Sequence, residues 1–138
     1  MKMKHIIAIF LLLIFVLVTY LGCDFALSIE KRVEIFVTDL NTNRDNAYLN
    51  FLPDDPLDYD AIKGSTVWNT SFPVGDGTPY SYSTGDLNTT NPSSVMLELN
   101  GPPEFFPSQT MKFVMIQDGL SWYIRELYKE GAPIVPRP

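Results

Sequence analysis

The chain has 138 residues, 46% of them hydrophobic, and a net charge of −6. This length predicts one domain and excludes large enzymes, tandem repeats and multi-span membrane proteins. The apolar residues are unevenly distributed, because residues 6–18 form an unbroken run of 13 apolar side chains. Lys2 and Lys4 are the only charged residues in the first 22, so the remainder is more acidic than the whole chain.

The first 22 residues have the layout of an export signal. Lys2, Lys4 and His5 form a positive start before the apolar run. A run of 13 residues suits the central region of a secretory signal and is shorter than the roughly 20 residues that cross a bilayer. Gly22 directly precedes Cys23, which is the only cysteine in the chain.

A small residue before a lone cysteine, behind an apolar run, resembles the lipobox of bacterial lipoproteins. Tyr20 stands where that family prefers Leu, and Leu21 is bulkier than usual, so the motif is a relaxed lipobox. The resemblance implies that 1–22 is a signal peptide and that the protein is cleaved before Cys23. It further implies that Cys23 carries a diacylglycerol and an amino-terminal acyl chain such as palmitate.

The lipobox resemblance predicts a location in the cell envelope, anchored by lipid to a bacterial membrane that is either the inner or the outer one. Residues 23–28 would then be a short lipidated tether. Two alternatives stay open: an uncut amino-terminal anchor with a free Cys23 thiol, or cleavage elsewhere and secretion. A single leftover cysteine in an exported chain needs a reason, and lipidation provides one.

The chain beyond Cys23 lacks several residue types that chemistry depends on. It has no His and no further Cys, which excludes Ser-His-Asp and Cys-His nucleophiles and zinc sites built on those ligands. Its acidic charge and scattered basic residues argue against nucleic acid, and no glycine-rich phosphate loop is present. We therefore predict no cofactor apart from the covalent lipid.

Helical patterns come first in the chain. Ser28 is a good N-cap, and the apolar residues after it follow the spacing of one helical face. A second, shorter stripe ends before two prolines, and residues 58–64 form a possible third turn. The first stripe consists of Ile29, Val33, Phe36, Val37 and Leu40, and the second of Ala47, Tyr48, Phe51 and Leu52.

Four alternating segments predict four strands after the helices. They cover residues 80–83, 95–100, 111–117 and 120–128. Asp118-Gly119 between the last two is a strong hairpin turn, and three prolines in residues 131–138 predict an extended tail. Helices followed by an antiparallel meander predict an α+β fold, with the helices covering one face of the sheet.

This order, with Trp68 and Phe72 at the helix-to-sheet junction and a terminal hairpin from Phe113 to Leu127, resembles small NTF2-like (cystatin-like) domains. The likeness covers residues 29–128 and leaves 129–138 as a Pro-rich tail. It implies a sheet curled around the long helix into a cone, whose open end is a pocket in many members. The pocket wall would draw on Trp68, Phe72, Tyr80, Tyr82, Phe113, Met115 and Trp122, which would equally make an ordinary core.

Two acidic stretches have carboxylates that could bind a metal, and neither pattern predicts a metal site. The spacing of Asp39, Asn41, Asn43 and Asp45 begins a calcium loop, but Arg44 replaces the required Gly and Asn50 the required Glu. The end of a helix followed by an N-cap accounts for the same Asp and Asn residues. The second stretch is a loop whose carboxylates favour solvated charge over weak divalent cation binding; it consists of Asp54, Asp55, Asp58 and Asp60.

Three functions remain compatible with these patterns. The first is a non-enzymatic lipoprotein whose domain binds a protein or a small molecule. The second is an NTF2-like enzyme that uses a carboxylate or tyrosine base in an apolar pocket, although no motif selects a catalytic residue. The third is a structural surface lipoprotein without a ligand. The sequence favours the first, with the membrane as a partner through the lipid and nucleic acid excluded.

Overall fold

The computed structural model describes residues 26–52, 62–63 and 67–134. An α-helix and short helical segments precede a four-stranded antiparallel sheet, so the predicted α+β fold with an antiparallel meander is confirmed. The signal peptide, Cys23, the acidic loop and most of the possible third helical turn lie outside the described residues. Curling of the sheet into an NTF2-like cone stays a prediction.

The first helix, α1 (Ile29–Thr42), follows its predicted pattern. The hydroxyl of Ser28 accepts a hydrogen bond from the N–H of Lys31 at 3.2 Å, as an N-cap should. All five predicted apolar positions are buried, and Arg32 is buried beside them. The helix ends where the N–H of Asn43 donates to the carbonyl of Asp39.

The other helical segments are short. The second apolar stripe forms a 3-10 helix (Arg44–Asn50) rather than an α-helix. Phe51, which follows this helix in an extended conformation, is buried in the core. Trp68 lies on α2 (Val67–Ser71), a single turn of α-helix. These short helical segments place large side chains against α1.

The sheet contains β1 (Ser94–Leu99), β2 (Gln109–Asp118), β3 (Ser121–Lys129) and β4 (Ala132–Pro133), in that spatial order. Burial alternates along β1 as the sequence predicted. The β2–β3 hairpin forms, but its turn lies one residue later than predicted: the two turn residues are Gly119, with φ of 58°, and Leu120, while Asp118 ends β2 and pairs with Ser121. A bulge shifts the register of β2 and β3 after Val114.

The four strands are not the four that the sequence predicted. Residues 80–83 form no strand; Ser81 makes only an isolated bridge with Asn100. The reason is that the side chain of Asn41 binds the backbone of Tyr80, so Tyr80 is held by α1 and only Ser81 pairs with the residue after β1. The fourth strand, β4, lies in the segment predicted as the Pro-rich tail, where a turn at Glu130-Gly131 with positive φ returns the chain to β3.

Short segments cover the outer edge of β3. The N–H of Trp122 donates to the carbonyl of Leu27 at 2.8 Å, that of Leu52 donates to Ile124 at 3.3 Å, and β4 pairs with the far end of the strand. Covered edges limit pairing with other chains. One of the covering segments is therefore the very start of the described domain.

The sheet has two distinct ends. We call the first the hairpin end: the turn 118–121 together with Leu27, which binds it. The second is the loop end: the connection 100–108, the turn at 130–131 and the segment 73–80, whose Gly75 lies against Pro102. Helix α1 starts beside the hairpin end and finishes beside the loop end, where Asn41 contacts Tyr80.

Candidate functional site

The residues predicted as a pocket wall belong to the hydrophobic core or pack against it. Five of the seven are buried in the core and two are half-buried against it. Of the seven, Tyr80 alone belongs to the hollow described below. The buried five are Trp68, Phe72, Tyr80, Phe113 and Met115, and the half-buried two are Tyr82 and Trp122.

The ring of Phe36 fills the space between these side chains. Its centroid lies 6.2 Å from that of Trp68, 5.9 Å from that of Phe72 and 5.7 Å from that of Phe113, in edge-to-face geometry each time. Aromatic pairs of this kind contribute beyond the area they bury. The indole N–H of Trp68 donates to the carbonyl of Ile62 at 3.0 Å, so the polar atom is satisfied inside the core.

A second aromatic group lies nearer the loop end. Tyr80 packs edge-on against Phe72 at 5.7 Å and against Phe106 at 5.1 Å. Its hydroxyl donates to the carbonyl of Pro73 at 2.8 Å. Burial raises the pKa of Tyr80 to about 12, although the nearby positive charge of Arg44 opposes that rise. The phenol is therefore protonated near neutral pH and acts as a donor.

A small hollow lies at the loop end, beside the C-terminus of α1. We call it the Arg44 hollow, and its volume is about 140 Å³. Three prolines give it apolar walls, and Arg44 is the one charged side chain among the described residues that line it. The prolines are Pro73, Pro79 and Pro102.

The guanidinium of Arg44 uses one hydrogen-bond donor within the fold and has further donors for a ligand. Its Nε donates to the carbonyl of Leu40 at 3.3 Å, which places a positive charge at the C-terminus of α1 where the helix dipole favours one. Arg44 makes no ion pair with any acidic residue in the described part of the chain. A half-buried cation with free donors can bind a carboxylate or another small anion.

The wall opposite Arg44 is fixed to the helix through Asn41. The amide of Asn41 donates to the carbonyl of Tyr80 at 2.9 Å and accepts from its N–H at 2.7 Å, as a strand neighbour would. Two glycines permit close packing there. A Cβ at Gly75 would lie 2.1 Å from the Cβ of Pro102, and one at Gly101 would lie 2.5 Å from the ring of Tyr80.

The polar residues that resembled a calcium loop are used separately. The carboxylate of Asp39 accepts from the amide of Asn50 at 2.8 Å, while Asn41 binds Tyr80. Residues two apart on a helix do not face each other. Within the described residues, no group of three His, Cys, Asp or Glu side chains is placed to hold a metal.

Arg32 forms a second buried polar cluster that links three elements. Its Nε donates to the carbonyl of Trp122 at 2.7 Å, and its guanidinium carbon lies 4.3 Å from the ring centroid of Tyr123. Its terminal nitrogen reaches the amide oxygen of Asn50 at 3.5 Å, which in turn binds Asp39. Burial lowers the pKa of Arg32, while Tyr123 and Asp39 oppose that change. Because its contacts are all internal, we assign this cluster to stability.

The Arg44 hollow is therefore the best-defined candidate site in the described part of the chain. Its volume lies below the several hundred Å³ typical of pockets for whole small molecules, so it suits a single carboxylate-bearing group. No protein-family model, curated protein or solved structure matches the chain. Of the helices described, none has the length and apolar character needed to cross a bilayer.

Proposed function

We propose that this protein is a cell-envelope lipoprotein, anchored to a bacterial membrane by lipid on Cys23, whose domain binds a partner without catalysis. One observation in particular supports the proposed anchoring. Leu27, only four residues after Cys23, is tied to the sheet by two hydrogen bonds: its N–H donates to the hydroxyl of Ser121 at 3.1 Å, and its carbonyl accepts from Trp122 at 2.8 Å. A short link between a lipidated cysteine and its domain suits a membrane-tethered module.

The filled interior favours binding over catalysis. An NTF2-like enzyme would need a base that faces an open apolar cavity, and Phe36 occupies that space between Trp68 and Phe113. Burial raises the pKa of Tyr80 and that of Tyr82, which makes both poor bases near neutral pH.

Glu126 is the remaining candidate for an acid or base, because it is the one buried carboxylate in the described part of the chain. It pairs with Val114, and both lie on the sheet face opposite to Phe113 and Leu127. Its oxygen accepts from the hydroxyl of Tyr128 at 2.6 Å. Glu126 therefore does not face the aromatic interior, which again supports a non-catalytic domain.

The Arg44 hollow supports a partner that presents a carboxylate. The apolar proline walls beside the half-buried guanidinium would strengthen a charge-assisted hydrogen bond relative to one in open water. A hollow of about 140 Å³ would take an acidic side chain or a chain terminus of a protein partner. A structural lipoprotein with no ligand is the remaining alternative, in which Arg44 would serve only to bind the Leu40 carbonyl at the end of α1.

Metabolic labelling tests the anchor. We expect labelled palmitate on the wild-type protein in the membrane fraction, and no label on a Cys23→Ala variant. Equal labelling of both proteins would contradict lipidation at Cys23.

Nuclear magnetic resonance tests the binding site, with acetate as the probe. We expect acetate to shift the backbone amide signals of Asn41 and Gly77 in the wild type, and an Arg44→Gln variant to lose those shifts. A Lys31→Gln variant is the matched control, since Lys31 is exposed on the early turns of α1 and already pairs with Glu34 at 2.9 Å. Identical shifts with and without Arg44 would show that the hollow is not the site.

A further inference from the structure

We infer that the hairpin end is the membrane-contacting surface of the protein and that Leu120 enters the interfacial region of the lipid bilayer. This inference rests on the proposed anchoring, and it adds an orientation and a lipid contact to it. The occupant of the surface is the bilayer that holds the anchor.

Covalent geometry limits how far the hairpin end can be from the anchor. Leu27 is four residues beyond Cys23, and an extended chain advances at most about 3.6 Å per residue, so their Cα atoms are at most about 14 Å apart. Leu27 is itself bound to Ser121 and Trp122 at the base of the turn. The turn therefore lies close to the lipid surface whether the anchor is acylated Cys23 or an uncut apolar segment.

The tip of the hairpin is suited to an apolar contact. Leu120 is 75% exposed although it is a large aliphatic residue, and it follows Gly119 at the apex of the turn. A single exposed leucine is ordinary on a soluble surface, but this one lies directly beside the tether. Asp118 is the only charged residue of the turn, so the contact does not depend on attraction to anionic lipids.

The orientation places the Arg44 hollow on the far side of the domain. Strand β2 runs from the connection 100–108 to the hairpin turn, and its ten residues extend about 33 Å at the usual rise of a strand. Helix α1 runs in the opposite direction, from the hairpin end to the loop end, and its 14 residues extend about 21 Å. The hollow would thus face away from the bilayer, towards a partner.

Depth-dependent fluorescence quenching tests this orientation on the full-length protein extracted from membranes and reconstituted in phosphatidylcholine vesicles. Cys23 is the only native cysteine, so when its thiol carries the diacylglycerol an introduced cysteine is the single site for a maleimide fluorophore. We would label Leu120→Cys and, as the matched control, Phe105→Cys. Phe105 is also an exposed apolar residue, 58% accessible, but it lies in the loop-end connection.

We expect lipids that carry bromine near the top of the acyl chains to quench the probe at position 120 strongly, and to leave the probe at position 105 unaffected. Vesicle-bound protein with equal quenching at both positions, or with quenching at 105 alone, would overturn the orientation while leaving the anchor intact. Maleimide labelling of the wild type together with no vesicle association would overturn both the anchor and the orientation. Thermal unfolding of each labelled protein checks that the fold is retained.

Discussion

The aromatic interior and the Arg44 hollow lie along one stretch of chain but are built from different contacts. Phe36, Leu40 and Arg44 follow one another at intervals of four residues. Phe36 packs against three rings, while Arg44 binds a backbone carbonyl and lines a hollow together with the loop 73–80 and Pro102. The comparison shows that the spacing of apolar residues along a helix identifies which of them are buried. A hollow, in contrast, is formed by loops that are distant in sequence.

The interior should be the more sensitive of the two regions. We expect Phe36→Ala to lower the free energy of unfolding by about 3–5 kcal/mol, because it removes a ring from a fully buried site. Urea denaturation of the detergent-solubilised protein measures the change. Phe105→Ala is the control, and an exposed position should change stability by only about 0.5 kcal/mol. Equal losses in both variants would contradict the packed interior.

The polar cluster around Arg32 should come next. Arg32→Ala would leave the carbonyl of Trp122 and the amide of Asn50 without their donor, and we expect a loss of about 2–3 kcal/mol for such unsatisfied buried groups. The adjacent Lys31→Ala is the matched control, since its exposed ion pair with Glu34 should contribute about 0.5 kcal/mol or less. A loss from Arg32→Ala as small as the control's would show that the cluster is not a tie between α1 and the sheet.

Gly101 tests how tightly the wall of the hollow is packed. In a Gly101→Ala variant the new Cβ would lie 2.5 Å from a ring carbon of Tyr80. We expect this overpacking to lower the free energy of unfolding by about 1–3 kcal/mol. The variant should also alter the acetate response, because Tyr80 lines the hollow. Gly85→Ala is the control, since its Cβ would come no closer than 3.7 Å to Ser83. A neutral Gly101→Ala variant would mean that the wall is loose.

The ionisation of Tyr80 has no effect near neutral pH and acts only at alkaline pH. Its pKa is raised from 10 to about 12 in the folded protein by burial, so its contribution to stability is complete below pH 10 and is lost as the pH rises towards 12. Ultraviolet titration of the phenolates should show a late step that Tyr80→Phe removes. If the wild type and this variant differ only by a step near pH 10, the phenol is not buried as described.

Local patterns predicted the elements whose partners are close in sequence. The Ser28 cap and the apolar face of α1 formed as expected, and the predicted hairpin formed with its turn one residue later, at Gly119-Leu120. Residues 80–83 show the limit, because alternation there resembled a strand but the amide of Asn41 binds the backbone of Tyr80. That competing partner lies 39 residues earlier, and no local pattern contains it.

The candidate site was harder to predict than the fold. The predicted pocket residues are large and apolar, and composition cannot tell a pocket wall from a core. In the structure Phe36 packs between Trp68 and Phe113, so these residues form a core. The sequence pattern of Phe36 indicates only that it faces inward. In the sequence, Arg44 is distinctive only as a mismatch to a calcium loop, since the prolines and glycines that line the hollow with it come from distant segments.

Intact-mass spectrometry of the protein purified from the membrane fraction tests the central proposal, the lipid anchor at Cys23, most directly. We predict a chain that begins at Cys23 and carries the added mass of a diacylglycerol and an amino-terminal acyl group. A mass that corresponds to the chain from Met1, or to an unmodified chain cut at another position, would contradict the proposal.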